Sequence, residues 1–505
     1  MSKPVGETGS INRRGFISGL TAATMGGALA RSAAHAEASE PKQRRTRDDH
    51  EPPPAGSMAA WIFVRSPLEH WMKDYQRTFD AWEEGGVRGI AVGYVQFQDA
   101  DGKRIPTFPA DPKVYERFGV SPPAETLRDL EKEKRFRAML DSAADRGWEI
   151  LFFGSGRSGG GRPPEEDPFG MVGYAAGVQD TMNAYPQAGG VIMDGAGEHH
   201  YELAFHHGGE LFEIRKHERQ RYVRLGYDAD RMVQGMLHLR KRFHELTPQM
   251  VRYHSSGGML GGLSLFDVNE DALYWLRSRQ EATVRFMAAA REQIDRLNRK
   301  VKLCTIPRTA AFSILTTQDY EKTHTYFDYV FPKHYFWHRG YDGMYGTVAR
   351  WVRRLGQWNP GLTEKDCFAV VKAWFGLQLP GIESLADMDM GFPDAFFSQV
   401  VYSETRRALD AVGDDNKVIA WVSTGRSPHD GDSMTAHDLY RILVASQRAG
   451  LERFLFHADP DLTVPEWRVI SGLCGKRWQE DPNGYWPSDT LKPGSFSGGR
   501  KPGDD

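Results

Sequence analysis

Between Gly189 and His207 the chain reads GGVIMDGAGEHHYELAFHH. Three apolar residues, Val191 to Met193, run straight into Asp194. A Gly-Ala-Gly turn follows, then Glu198 and the histidines His199, His200, His206 and His207. Two carboxyl groups on either side of a small-residue turn suit acid–base work, in which one is protonated and the other ionised. The histidines could hold a metal, yet neighbouring side chains diverge along an extended chain and no HExxH spacing occurs. A third reading is a polar loop, with Asp194 capping a turn beside glycine.

These residues need a frame, and the chain supplies a recurring one. Eight short apolar runs are each followed by a helical pattern: MAAWIFVRS, RGIAVGYVQF, WEILFFGSG, GGVIMDG, VKLCTIPRT, FDYVFPKHYFW, KVIAWVSTG and ERFLFHA. Near-continuous apolar strands are those buried on both faces of a parallel sheet, and strand–helix alternation implies that sheet. Eight units predict one (β/α)8 TIM barrel with long βα loops over residues 58–480. The second strand is read to Phe97. Helices are expected over Leu68 to Glu84, Glu125 to Arg146, Gly170 to Tyr185, Asp228 to Leu246, Glu270 to Lys300, Thr317 to Tyr326, Tyr345 to Leu355, Pro393 to Val412, Thr435 to Gly450 and from Pro465. No GxGxxG follows an early strand, and GSGRSGGGRPP from Gly154 lacks the ending of a phosphate loop.

In such barrels chemistry sits where the strands end. The eight runs end at Arg65; at Gln96 and Gln98; at Ser155 and Arg157; at Asp194, Glu198, His199 and His200; at Arg308; at Lys333, His334, Tyr335 and Trp337; at Ser423, Arg426, His429 and Asp430; and at His457, Asp459 and Asp461. Acids, arginines and histidines that bond hydroxyls, beside aromatic faces that stack on rings, fit a sugar. The expected catalytic pair is Asp194 and Glu198. Arg65, Gln96, Arg157, His199, Arg308, His334, Tyr335, Trp337, Asp430, His457 and Asp459 are the expected substrate contacts. Glu198 could instead pair with Arg157 or Arg308, and Glu383, Asp387 and Asp389 are further acids on a long loop.

From about Met58 to Trp478 the chain resembles exported bacterial TIM-barrel glycoside hydrolases, many of which carry a catalytic carboxylate at the end of strand four. The resemblance implies hydrolysis of an oligo- or polysaccharide by paired carboxylates, without a cofactor. Met193-Asp194 stands where one large clan has Asn-Glu, and the DxxDxDxE chitinase signature is absent. Two other classes remain open: a metal-dependent hydrolase on the same barrel, though Val64-Arg65-Ser66 replaces the His-x-His usual at strand one, and a carbohydrate-binding barrel without catalysis.

The ends are of another kind. Asn12-Arg13-Arg14-Gly15-Phe16-Ile17 resembles the twin-arginine export motif, and a weakly apolar run and Ala34-His35-Ala36 follow it. Residues 1–36 are therefore expected to be a signal peptide that sends the folded protein to the periplasm or the medium. Residues 37–57 and 481–505 are polar and Pro- or Gly-rich, expected to be a disordered linker and tail. The formal charge of the 505 residues is −3. Cleavage would remove Lys3, Arg13, Arg14, Arg31 and Glu7, making the product more acidic, unlike the basic face of a nucleic-acid binder. No other apolar run approaches the roughly 20 residues of a membrane span. Cys304, Cys367 and Cys474 have no metal-like or disulfide-like spacing and read as buried thiols.

Overall fold

The computed structural model describes residues 53–65, 67–99, 101–124, 127–154, 158–203, 211–336, 343–423, 434–457, 462–481 and 483–487. The strands among them are β1 (Ala59–Val64), β2 (Val87–Gly93), β3 (Gln96–Gln98), β4 (Arg104–Pro106), β5 (Glu149–Phe153), β6 (Gly190–Asp194), β7 (Lys302–Ile306), β8 (Tyr329–Val330), β9 (Lys333–His334), β10 (Ala420–Val422) and β11 (Arg453–His457). Nine form one curled parallel sheet in the order β8-β7-β6-β5-β2-β1-β11-β10-β9, and β3 and β4 form a separate antiparallel hairpin.

The two ends of that order are neighbours in the chain. Tyr329 to His334 is a single run interrupted at Pro332, which has no N–H to donate. On one flank Phe331 N–H donates to Thr305 O (2.8 Å) and Lys333 N–H to Pro307 O (3.0 Å). On the other, Val330 O accepts from Ile419 N–H (3.0 Å) and Pro332 O from Trp421 N–H (2.9 Å).

Side chains alternate across each strand and so divide into two cores. The inner one takes Trp61 and Phe63 from β1, Ala91 from β2, Leu151 and Phe153 from β5 and Ile192 from β6. It also takes Cys304 and Ile306 from β7, Phe331 and Tyr335 around β9, Ile419 and Trp421 at β10, and Leu455 from β11. The residues between them, such as Ile62, Phe152, Val191 and Phe454, join a much larger core against the helices. All three cysteines are buried, and burial raises each thiol.

Helices fill the connections and are started by capping side chains. Asp129, Asp228, Asn269, Thr363 and Thr435 each accept a backbone N–H of the first turn, a bond typically contributing about 1 kcal/mol. The helix expected from Glu125 therefore begins at Leu130, after its cap. That expected over Leu68 to Glu84 is two helices, Leu68–Trp71 and Tyr75–Glu84. Short helices at Pro112–Phe118, Lys216–Arg224, Pro248–His254, Gly258–Phe266, Glu364–Phe375 and Leu385–Asp389 lie in the long connections and were not expected. Strand two stops at Gly93 rather than Phe97, because Tyr94 takes a positive φ of 24° and turns the chain into the hairpin.

Both boundaries of the folded body move outward from the expected ones. Gly56 N–H donates to Leu473 O (2.9 Å), so the end of the expected linker is docked. Tyr485 OH accepts from Trp82 Nε1 (2.9 Å), and the rings of Trp478 and Trp486 pack 5.3 Å apart. Aromatic burial thus holds the first part of the expected tail. Residues 1–52 and 488–505 lie outside the described residues. Among the described residues no helix is long and apolar enough to cross a membrane.

Candidate functional site

The inward alternation carries past the apolar layers and selects the mouth residues. Ile192 leads to Asp194, Ile306 to Arg308, Phe331 to Lys333, and Leu455 to His457. Trp61 and Phe63 lead to Arg65, and Ile419 and Trp421 to Ser423. Gly93 ends β2 without a side chain: a Cβ there would stand 2.8 Å from Phe63 Cζ, so the glycine makes room for that ring.

Beneath these polar groups lies an aromatic floor. The Phe63 ring lies 5.0 Å from that of Trp421, 5.3 Å from Phe153 and 5.5 Å from His457, mostly edge to face. Trp421 and His457 are 4.9 Å apart, and Tyr335 OH is 3.3 Å from His457 Nε2. Tyr94 sits half-exposed with its edge on Phe153 at 5.3 Å. Burial, and then the nearby Asp194 charge, raise its phenol above the usual range.

The two expected catalytic acids are placed very differently. The Asp194 side chain is 46% exposed, and Lys333 Nζ lies 3.9 Å from its Oδ1. Glu198 is nearly buried. Its carboxylate is gripped by the buried Arg308 through both Nε and Nη2, a two-pronged pair that matches the guanidinium fork. The turn between the acids needs its glycines: Gly195 has φ +62° and Gly197 φ +73°. The Arg308 guanidinium also lies over the Tyr201 ring at 5.6 Å. Burial disfavours its charge, but Glu198, Tyr201 and Asp194 outweigh that and hold its pKa above the ordinary value. For Lys333 the balance reverses. Burial and Arg308 outweigh Asp194 and Glu198, and its pKa falls to about 8.

Of the expected contacts, Arg308, Tyr335 and His457 join this cluster, and Arg65 shares its inward parity. Three others do not join it. His334 has the opposite parity: it is buried beside Phe336 at 5.1 Å in the helix-side core, and burial pushes its pKa down to about 3. The His199 ring stacks on Tyr222 and is driven well below its ordinary pKa by burial and then by Arg279. Gln96 opens the β3–β4 hairpin, where pairing with Pro106 sets its place. Arg157, Trp337, Asp430 and Asp459 lie outside the described residues, as do His206 and His207.

His200 is 3.2 Å from Arg215 Nη2, and among the described residues no group of three or more His, Cys, Asp or Glu could hold a metal ion. The acidic loop also has its own partners: Glu383 pairs with Lys365 (2.8 Å), Asp387 caps a helix, and Asp389 accepts from Tyr345.

Sequence reading passed over Tyr94 and Glu202. Tyr94 follows an apolar run, and only its positive φ brings it over the mouth. Glu202 is buried just behind Tyr201 and accepts from Thr347 Oγ1 (3.0 Å) and Arg350 Nη2 (3.3 Å). Burial, only partly offset by Arg350 and Thr347, raises its pKa to about 7. Nothing in the string HHYEL distinguishes it from a surface acid.

No protein-family model and no curated protein sequence matches the chain. Among solved structures it is similar to the glycoside hydrolase domain of PgaB (BpsB) from Bordetella bronchiseptica, at 9% identity and a TM-score of 0.40 over 84% of this chain and 100% of that one. It is similar to the catalytic domain of β-amylase from Paenibacillus polymyxa at 10% identity and a TM-score of 0.40, over 84% and 100%. A GH5_18 protein from Streptomyces cattleya, solved with GlcNAc, matches at 11% and 0.37 over 85% and 82%. At this distance none of them assigns a role to a residue of this chain.

Proposed function

We propose that the chain is a closed eight-stranded (β/α)8 barrel and an exported glycoside hydrolase, with Asp194 as the carboxylate that meets the substrate. The two-sided bonding of Tyr329 to His334 supports closure. One observation carries the activity: a half-exposed carboxylate, Asp194, stands at the end of a parallel sheet close to the half-exposed ring of Tyr94. A sugar offers an apolar face to such a ring and hydroxyls to the carboxylate beside it. Glycosidic cleavage builds positive charge at the anomeric carbon, which a carboxylate stabilises, while a second carboxyl group serves the leaving oxygen. Glu198 is the nearest second acid in sequence, held in place by Arg308.

The test is a screen of aryl glycosides and oligosaccharides, assayed for released aglycone or reducing ends, with Asp194→Asn as the control. Hydrolysis that disappears in the variant supports the reading. Binding of oligosaccharides without turnover, unchanged in the variant, points to a carbohydrate-binding barrel instead. Activity lost to EDTA and restored by zinc favours the metal-dependent class, with the histidines around Glu198 as first suspects. Export by the twin-arginine route rests on Arg13-Arg14 and the Ala34-His35-Ala36 site. Replacing both arginines by lysine is expected to hold the protein in the cytoplasm.

A further inference from the structure

The helix Glu270–Asp295 buries two side chains one turn apart, Trp275 and Arg279, which are 1% and 4% exposed. The Arg279 guanidinium lies over the Trp275 ring at 4.9 Å, and its Nη2 donates to His200 O (3.0 Å). Stacking and that bond together fix the plane of the fork. Among the described residues Arg279 Nη1 has no acceptor, and neither has Trp275 Nε1. Both residues line one small pocket, with His199, His200, Glu218 and Tyr222 around them.

A buried charge is normally paired, because taking it out of water is costly. Arg308 shows the normal case in this molecule, gripped by Glu198. Arg279 has no such partner among the described residues. The acids of the pocket are turned to Arg215 instead. Glu218 Oε2 accepts from Arg215 N–H (2.7 Å), and Glu213 Oε2 is 3.7 Å from Arg215 Nε. His200 Nε2 faces Arg215 Nη2 at 3.2 Å, and since a guanidinium only donates, that nitrogen is also engaged as an acceptor. Burial lowers the Arg279 pKa to about 10, with Tyr222 and Glu218 offsetting it only in part, so the side chain is charged at pH 7. The pocket has room for a group about the size of one water molecule. Water would satisfy the two donors and leave the charge unbalanced. Phosphate and sulfate, with four oxygens each, are too large.

We propose that Arg279 and Trp275 form a binding site for a small monovalent anion, a halide or the carboxylate end of a compact acid. The anion accepts from Arg279 Nη1 and Trp275 Nε1 and balances the buried charge. Arg279 Nη2 already holds the carbonyl of His200, two residues past Glu198. An ion on Nη1 therefore sits where the helix is tied to the connection that carries that acid. The inference stands on the two donors and is independent of glycosidic cleavage.

The test places the full chain in sodium HEPES, whose sulfonate is too bulky for the pocket. Sodium chloride, bromide, formate or acetate is then titrated in at constant ionic strength, and the melting temperature is followed. The expected result is a saturating rise of roughly 2–4 °C, because an ion bound only by the folded chain stabilises it. Trp275→Phe removes one donor and is expected to weaken binding about tenfold. Arg279→Met keeps the length without the charge and is expected to abolish the response. A response to the halides alone assigns a free ion. Formate or acetate saturating at least about tenfold below chloride assigns a carboxylate. A flat titration means that water fills the pocket and overturns the proposal, and so does an equal rise in Arg279→Met. Crystals of the wild-type chain soaked in sodium bromide cover a variant that misfolds. An anomalous peak beside Arg279 Nη1 supports the inference, and bromide bound only elsewhere overturns it. Neither readout needs hydrolase activity, so its failure is separable from that of the glycosidase reading.

Discussion

The sheet's two faces treat buried polar residues in opposite ways. On the inner face the apolar layers end in Asp194, Arg308 and Lys333, charged groups that interact with one another around an accessible carboxylate. On the outer face His334 is buried beside Phe336, and in the connection after β6 Glu202 is buried against Thr347 and Arg350 of the helix Met344–Trp358; burial drives both toward their neutral forms. Neighbours in the chain fall on opposite sides: Lys333 faces in and His334 faces out. Residue type alone therefore says little about function here, and parity says much.

The contrast can be broken by substitution. Asp194→Asn keeps the shape and removes the charge, so kcat is expected to fall by about 10²-fold or more with the circular dichroism unchanged. His334→Gln, on the outer face, is expected to leave kcat as it was. If His334→Gln matched Asp194→Asn, the assignment of faces would be wrong.

Glu198→Ala strands the buried Arg308 charge. Breaking a buried pair from one side typically destabilises by about 3–5 kcal/mol, which urea unfolding would register. A variant as stable as wild type would show that Arg308 does not depend on Glu198.

Glu202 offers a pH test. Its carboxyl is raised from 4.5 to about 7 in the folded chain. Between those values the native state keeps a proton that the unfolded chain has released, so Glu202 makes stability decline as pH rises through this window. The decline is at most about 3 kcal/mol. In Glu202→Gln this contribution is expected to vanish, which melting temperatures measured from pH 4 to 8 would reveal.

The smallest expected effect is at the turn behind Asp194. Gly197→Ala would place a Cβ 3.1 Å from Phe286 Cδ1 and 3.2 Å from Thr283 Cγ2 at a positive φ. The left-handed conformation alone costs roughly 1–2 kcal/mol for a residue with a Cβ. A neutral result in chemical denaturation would mean that the turn relaxes and that Glu198 is less firmly placed than its ion pair implies.

Much of the frame was legible in the chain. Parallel strands buried on both faces leave uninterrupted apolar runs, so all eight segments could be read directly, although the second was carried to Phe97 where the strand stops at Gly93. The helices of the long connections, five to twelve residues each, could not, because one to three turns carry too little periodicity to stand out. Nor could the sharp bend at Tyr94, where a non-glycine residue adopts a positive φ only because its surroundings hold it there.

The site divides in the same way. By itself the sequence determined that Asp194 and Glu198 follow a buried strand, and that Arg308, Lys333, Tyr335 and His457 end others. Tertiary structure decided which of them meet. It paired Glu198 with Arg308 from a strand more than a hundred residues away, left Asp194 open beside Lys333, and turned His199 and His334 out of the mouth. Those outcomes depend on register and parity across strands far apart in the chain, and on how deeply each group is buried, and neither is written in any local stretch of residues.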